Sequence, residues 1–126
     1  MVNYGRAPVF PKFDIGFALA GNQAVGDDLT PHRLIASAGS ITSVRAIVKT
    51  AATGADLTFR VKLWRGGVDT VISDAITIAA TETDSGAIAI SPAVGVVAGD
   101  YLTIDCTSIG SSDPGVDATV MLGGRI

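Results

Sequence analysis

Apolar and polar residues alternate with a period of two along several short segments of the chain, which is the pattern of β-strands with one buried face. In the clearest segment, the residues on the apolar side are Leu57, Phe59, Val61 and Leu63. The residues between them are Thr58, Arg60, Lys62 and Trp64. We therefore predict a strand over residues 57–64, with the first set of side chains in the core and the second set on the outer face.

Weaker alternation and short β-branched runs predict further strands along the rest of the chain. These lie at residues 14–20, 41–50, 68–72, 75–79, 88–90, 101–107 and 117–122. Turn sequences such as Gly66-Gly67 and Pro114-Gly115 separate them, and no long window carries a helical stripe. Turns at this spacing predict an all-β domain of about eight antiparallel strands, in a jelly-roll or immunoglobulin-like β-sandwich.

Residues 1–13 differ from the rest because they contain Pro8 and Pro11, which forbid regular helix and restrict the preceding residues to extended geometry. We predict an extended N-terminal arm at residues 1–13 and a single β-sandwich domain at residues 14–126. The apolar side chains of the arm are Tyr4, Val9, Phe10 and Phe13. Because termini stay disordered unless something holds them, these side chains predict an arm that packs on its own domain or docks on a neighbouring subunit.

The composition is poor in charge for a solitary soluble domain, since 17% of the residues are charged and 48% are hydrophobic. Either the strands are buried on both faces or a partner covers one surface, and we favour the partner. The net charge of −3 argues against nucleic acid. No apolar run reaches the length of a membrane helix, and the N-terminus lacks the apolar stretch of a signal peptide. We predict no membrane partner and a homo-oligomer, with a trimer as one arrangement that hides apolar surface.

Few residues suit catalysis or metal binding. The only histidine is His32, beside Pro31 in a predicted loop, and the only cysteine, Cys106, alternates inward with Leu102 and Ile104. A nucleophile needs an adjacent base, and zinc needs three or four converging ligands. We predict a loop imidazole for His32, a buried small side chain for Cys106, no catalytic residues, no metal and no cofactor.

The acidic residues lie mostly in predicted turns, where Asp side chains cap backbone amides. Asp27-Asp28 and the pair Asp113 and Asp117 offer oxygens of the kind that bind calcium, but they lack the EF-hand order, and we predict turn caps. Asp105 differs because it lies on a strand, and we predict a cross-strand ion pair there, weak where it is exposed. The basic residues on similar strand faces are Arg45, Arg60 and Lys62.

Trp64 and Arg65 lie beside the Gly66-Gly67 turn, on the polar side of the clearest strand. We predict that Trp64 packs against the arm or a neighbouring subunit. A sugar-stacking platform and plain packing within the domain are the alternatives, because an indole ring serves all three.

Three segments of the chain, taken in order, resemble a β-sandwich domain that recurs in structural proteins of tailed bacteriophages. They are TGADL at 53–57, VAGDYLTID at 97–105, and PGVDATV at 114–120, the last preceded by IGS at 109–111. The resemblance covers residues 48–122. The chain departs from the pattern at 64–67, where WRGG replaces a Lys-Asn-Gly hairpin, and at 116–118, where VDA stands in place of ADL.

The resemblance implies a structural or attachment role in a virion, and a single domain with an arm and no stalk suits a capsid decoration protein. The implied partners are the major capsid protein or other virion proteins, and the implied location is the virion, assembled in the host cytoplasm. The predicted interface residues are Tyr4, Val9, Phe10, Phe13, Trp64 and Arg65. The alternative is a receptor- or carbohydrate-binding module at a tail or fibre tip. A third class, an enzyme such as a glycosidase, is disfavoured by the single histidine and by acids placed in turns.

Overall fold

The described part of the chain is built from β-strands alone. The computed structural model describes residues 12–125, and for Lys12 and Phe13 it describes the backbone only. The strands are β1 (Lys12–Asn22), β2 (Arg33–Leu34), β3 (Gly39–Thr50), β4 (Leu57–Arg65), β5 (Val68–Val71), β6 (Ile76–Ile78), β7 (Ile88–Val96), β8 (Tyr101–Ser108) and β9 (Val116–Arg125). Residues 12–125 contain no helix, and therefore none that could span a membrane. The all-β prediction is confirmed for these residues.

The strands form two antiparallel sheets. The first sheet has the order β1-β9-β3-β7, and the second has the order β2-β8-β4-β5, with β6 also paired to β4. The edges of the first sheet are therefore β1 and β7, and the main edges of the second are β2 and β5. Because neighbours in each sheet are mostly distant in sequence, long-range pairing holds the fold together.

Apolar side chains from both sheets form one buried cluster. Its fully buried members include Ile41, Val44, Leu57, Phe59, Val61, Ile104, Val120 and Leu122. The predicted inward set of the clearest strand, Leu57 to Leu63, is buried as expected. Two sheets that share one core in this way give a sandwich-like architecture.

A register shift in β3 changes which of its side chains enter the core. Between Ile41 and Ser43, the pairing of β3 with both β7 and β9 is interrupted by a bulge at Thr42. The extra residue reverses the alternation of side chains. Ile41 and Val44 are therefore both buried, although side chains three positions apart on a regular strand face opposite sides. A strict period of two therefore describes β3 only from Ser43 onward.

Three carboxylates that were predicted as turn caps instead bond groups far away in the sequence. The Asp113 carboxylate accepts the Thr53 hydroxyl at 2.9 Å, and Asp117 accepts the Gly21 amide at 2.6 Å. Asp28 accepts the Thr103 hydroxyl at 2.8 Å. The turn-cap prediction is wrong for these residues, because each side chain bonds a group in a distant strand or loop and does not cap a backbone amide of its own turn.

Candidate functional site

A cluster of charged side chains lies on the outer face of the second sheet, around Lys62. Its ammonium is 3.2 Å from Asp28, 3.5 Å from Asp69 and 3.4 Å from Asp105. Lys62 is 6% exposed and Asp105 is fully buried. The loop at 26–29 lies beside β8, where Gly26 exchanges backbone hydrogen bonds with Cys106, and it reaches over this face through Asp28, which contacts Lys62 and Thr103. Lys62 and Asp105 therefore point outward from their strands but are not exposed to solvent.

Arg60 completes the charged cluster. Its Nε donates to Asp105 at 2.8 Å, and its Nη2 lies 3.6 Å from Asp27. The predicted cross-strand ion pair of Asp105 with Arg60 and Lys62 is confirmed in position. The expectation that it would be weak rested on exposure, and the burial of Asp105 removes that condition. Arg45 lies elsewhere and pairs with Asp84.

The pKa directions follow from this geometry. Burial alone would lower the pKa of Lys62, but the hydrogen bond to Asp28 and the charge of Asp105 outweigh it, and the pKa is raised. The hydroxyl of Thr103 is the main cause of the lowered pKa of Asp28. Both shifts favour the charged forms. Every buried side-chain nitrogen or oxygen among residues 12–125 has a hydrogen-bond partner. The buried polar groups of the cluster are therefore satisfied by contacts within the domain.

Three aromatic rings stack next to the charged cluster. The Trp64 and Tyr101 ring centroids are 5.7 Å apart, and those of Tyr101 and His32 are 4.1 Å apart, with interplanar angles of 11° and 15°. The Trp64 Nε1 donates to Thr103 at 3.0 Å, which joins the rings to the charged cluster. His32 is exposed, as predicted for a loop imidazole. Its ring stacks on Tyr101 and so packs the loop against β8. Trp64 is half-buried by its own sheet, and its contact with an arm or a subunit stays a prediction.

Arg65 points away from this face, toward the other sheet. It binds Asp100 through two hydrogen bonds, of 2.9 and 2.6 Å, and its Nη2 also reaches the carbonyl of Gly95 at 3.3 Å. Asp100 is 2% exposed and also accepts the Val97 amide. The guanidinium of Arg65 is the main cause of the lowered pKa of Asp100. Arg65 therefore ties β4 to the turn between β7 and β8.

A groove of about 1060 Å³, lined by both apolar and polar side chains, opens between the edge strands β5 and β7. Leu63 of β4 is in the core and pairs with Thr70, so Thr70 and Val68 share its inward-facing side of the sheet. Val68 is nevertheless 66% exposed. On the opposite wall the inward-facing side chains are only partly buried. They are Ile88, Ile90 and Val94. The core of the sandwich is thus left open along this side.

The two edges of the groove differ. All four residues of β5 are exposed, and among residues 12–125 β5 pairs with β4 on one side only. In β7, Ala89 pairs with Ser43 and Val94 with Ile41, so residues 90–93 bulge out opposite Thr42. Such a bulge, with Pro92 inside it, blunts an edge against pairing. The free edge of β5 is the one that can still accept a strand.

Of the predicted interface residues that the structure describes, one lines the groove. Arg65 lines it, whereas Trp64 lies on the opposite face of β4. Tyr4, Val9 and Phe10 lie outside the described residues. Phe13 lies in β1 opposite Gly124. The run after Gly66-Gly67 is shorter than the strand before it, but a short run does not by itself show that β5 lies at a sheet edge.

The remaining candidate for chemistry is Cys106, which is buried as predicted. Burial raises the pKa of its thiol. Residues 12–125 hold no group of three or more side chains arranged to bind a metal ion. Comparisons of the chain with known protein families, curated proteins and solved structures found no match. The groove and the outer face of the second sheet are therefore the two surfaces that point to a function.

Proposed function

We propose that this chain is a non-enzymatic bacteriophage virion structural protein, most specifically a capsid decoration protein that binds the head lattice. Its proposed partners are the major capsid protein and further copies of itself. The proposal includes the finer fold type, a jelly-roll or immunoglobulin-like sandwich with an N-terminal arm. The arm predicted at residues 1–13 is shortened to residues 1–11, because Lys12 and Phe13 pair with β9 as the first residues of β1. The ordered segments that resemble phage structural domains support it, together with the sandwich-like architecture.

The observation that carries the proposal is the open groove between β5 and β7. A domain that only needed to fold would close its core over Val68 and Ile88. Uncovered apolar side chains beside an open sheet edge support a contact with another chain. The charge-poor composition suits the same role, since cores of protein interfaces are depleted in charged residues.

The proposal is tested on phage particles whose genome encodes this chain. Particles lacking the protein are expected to be less stable to heat, and added protein is expected to restore stability and to appear as density on the head. The groove variant Val68→Asp should restore less. The matched control is Val25→Asp, because Val25 and Val68 are 61% and 66% exposed. Particles that are equally stable without the protein, and show no added density, would refute the role.

The second candidate, a receptor- or carbohydrate-binding module at a tail or fibre tip, is favoured by the aromatic stack. The exposed His32 and the half-buried Tyr101 and Trp64 form a set of stacked rings, and aromatic rings of this kind can pack on sugars. A glycan array probed with the wild type and with Trp64→Ala tests it. Binding that Trp64→Ala abolishes would favour this module over the decoration protein.

A further inference from the structure

The outer edge of β5 carries backbone groups that point away from the sheet. The amide of Ile72, the residue after β5, donates to the Val61 carbonyl of β4 at 3.0 Å. Because successive residues of an antiparallel strand direct their backbone groups to opposite sides, Thr70 also faces β4, whereas Asp69 and Val71 face away from it. No strand in the described part of the chain lies on that side of β5. The amides and carbonyls of Asp69 and Val71 are therefore open to a further strand.

The side chains of β5 divide between the two faces of the sheet. Thr70 pairs with the buried Leu63 of β4, so its side chain faces the first sheet. Val68 and Ile72 lie two positions away on either side and face the same way. Val68 is exposed and Ile72 only partly buried, so both present apolar surface along this edge. Asp69 lies on the outer face.

A second copy of β5 matches this edge in one register. A twofold axis perpendicular to the sheet keeps each side chain on its own face, so the axis passes through a residue that lies opposite its own copy. With the axis at Thr70, Asp69 of each copy lies opposite Val71 of the other, and the outward amides and carbonyls of both copies are all paired. Val68 then lies opposite Ile72 of the other copy, which covers both apolar side chains.

The neighbouring registers fit less well. With the axis at Asp69, the two Asp69 carboxylates lie directly opposite each other, and like charges in that position destabilise a strand pair. Val68 then meets Thr70 and finds no apolar partner. With the axis at Val71, the open groups of Asp69 would need Ser73, which lies beyond the end of β5. The edge is thus self-complementary in charge, backbone groups and apolar contacts in a single register, and this favours a second copy as its occupant.

We propose that β5 pairs antiparallel with β5 of a second copy about a twofold axis at Thr70, which joins the second sheets of the two copies into one continuous sheet. This inference rests on the proposed function, because it names one surface through which that structural protein associates with copies of itself. The contact is isologous, since the same residues meet on both sides. The opposed segments are short, residues 68–72 of each copy, so the contact is small for a protein interface and the dimer dissociates on dilution.

Cysteine cross-linking of the full-length chain tests the register. Thr70→Cys places the two introduced thiols on directly opposed residues whose Cα atoms are about 4.5 Å apart, within reach of a disulfide. The matched control, Asp69→Cys, places them diagonally at about 7–8 Å, where no bridge forms without backbone movement. Under mild oxidation, Thr70→Cys should form a covalent dimer on non-reducing gels. Asp69→Cys and the wild type, whose Cys106 is buried, should stay monomeric.

Sedimentation velocity tests the association itself. Val71→Pro removes an outward amide and no hydrogen bond to β4, so the variant should fold and associate more than about tenfold more weakly than the wild type. The matched control, Val71→Ala, keeps the amide and should associate within about threefold of the wild type. Circular dichroism shows whether both variants are folded, and the cross-linking comparison decides alone if Val71→Pro is not.

A wild type that stays monomeric at all concentrations would overturn the proposal, including the case in which the N-terminal segment of the same copy occupies the edge of β5. Cross-linking of Asp69→Cys in place of Thr70→Cys would also overturn it, and so would undiminished association of a folded Val71→Pro. Binding to phage particles is measured separately with the same proteins. A monomer that still binds particles leaves the decoration role in place, and a β5-paired dimer that binds no particle refutes that role alone.

Discussion

Arg65 and Asp100 form a two-pronged ion pair that connects the end of β4 in one sheet to the turn that leads out of β7 in the other. The pair lies at the end of the groove, where Arg65 also binds the Gly95 carbonyl. Elsewhere the sheets are held together by the apolar core and by backbone hydrogen bonds between β3 and the loop after β6. This contact therefore fixes the separation of the two walls on the side where the core is open.

Replacing Asp100 with Ala should destabilise the protein by about 2–3 kcal/mol, because a buried carboxylate that accepts charge-assisted bonds is lost. Urea unfolding followed by circular dichroism measures the change. The matched control is Asp84→Ala, which removes the partner of Arg45 from an exposed pair and should have a smaller, salt-sensitive effect. Equal losses in the two variants would contradict the structural role of Asp100.

The lowered pKa of Asp100 predicts a stability loss in acid. A carboxyl whose pKa is lower in the folded than in the unfolded state contributes stability that is complete above the unfolded value, about 3.9, and is lost as the pH falls through the folded value. The stability difference between the wild type and Asp100→Asn should therefore shrink below pH 4. Urea midpoints at pH 6 and pH 2.5 test this, and a difference that does not change with pH would contradict it.

The sequence predicted much of the fold because burial imposes a period of two wherever a regular strand covers the core. Leu57, Phe59, Val61 and Leu63 follow that rule. The rule gave no information on Lys62 and Asp105, which lie on the outer face and are buried by a loop that pairs irregularly with β8. Burial of an outer face depends on where a distant loop packs, and the pattern within one strand does not contain that information.

The groove could not be predicted from the sequence for a related reason. Its walls are apolar runs that the alternation assigned correctly to strands, including Val68 and Ile88. Whether such side chains become covered depends on which strands are edges and on the bulge at residues 90–93. Edge position is a property of the whole sheet order, and no single segment encodes it.

Replacing Lys62 with Met should destabilise the protein by about 3 kcal/mol, because the buried Asp105 would keep Arg60 as its only cationic partner. The comparison variant is Lys49→Met on the exposed end of β3, which should change stability by less than about 0.5 kcal/mol. The double variant Lys62→Met/Asp105→Asn should recover part of the loss, since it removes the uncompensated charge. Losses that simply add in the double variant would show that Lys62 and Asp105 do not interact.

Gly110 allows two loops to approach more closely than any side chain permits. A Cβ at this position would overlap the Asp113 carbonyl oxygen and lie 2.7 Å from the carbonyl oxygen of Thr53. These backbones cannot separate easily, because the Thr53 amide donates to the Asp113 carbonyl at 3.0 Å. Gly110→Ala should therefore cost about 3 kcal/mol through overpacking.

The matched control for Gly110→Ala is Gly16→Ala on β1, where a Cβ would meet nothing within 4 Å. That variant should be neutral or stabilising by about 0.5 kcal/mol, because alanine has less conformational freedom in the unfolded chain. Thermal and urea unfolding of both variants measure the contrast. If Gly110→Ala were as stable as Gly16→Ala, the close packing of Gly110 against the Thr53 and Asp113 backbones would be contradicted. The antiparallel bridge that joins these two residues would then have no support from the experiment.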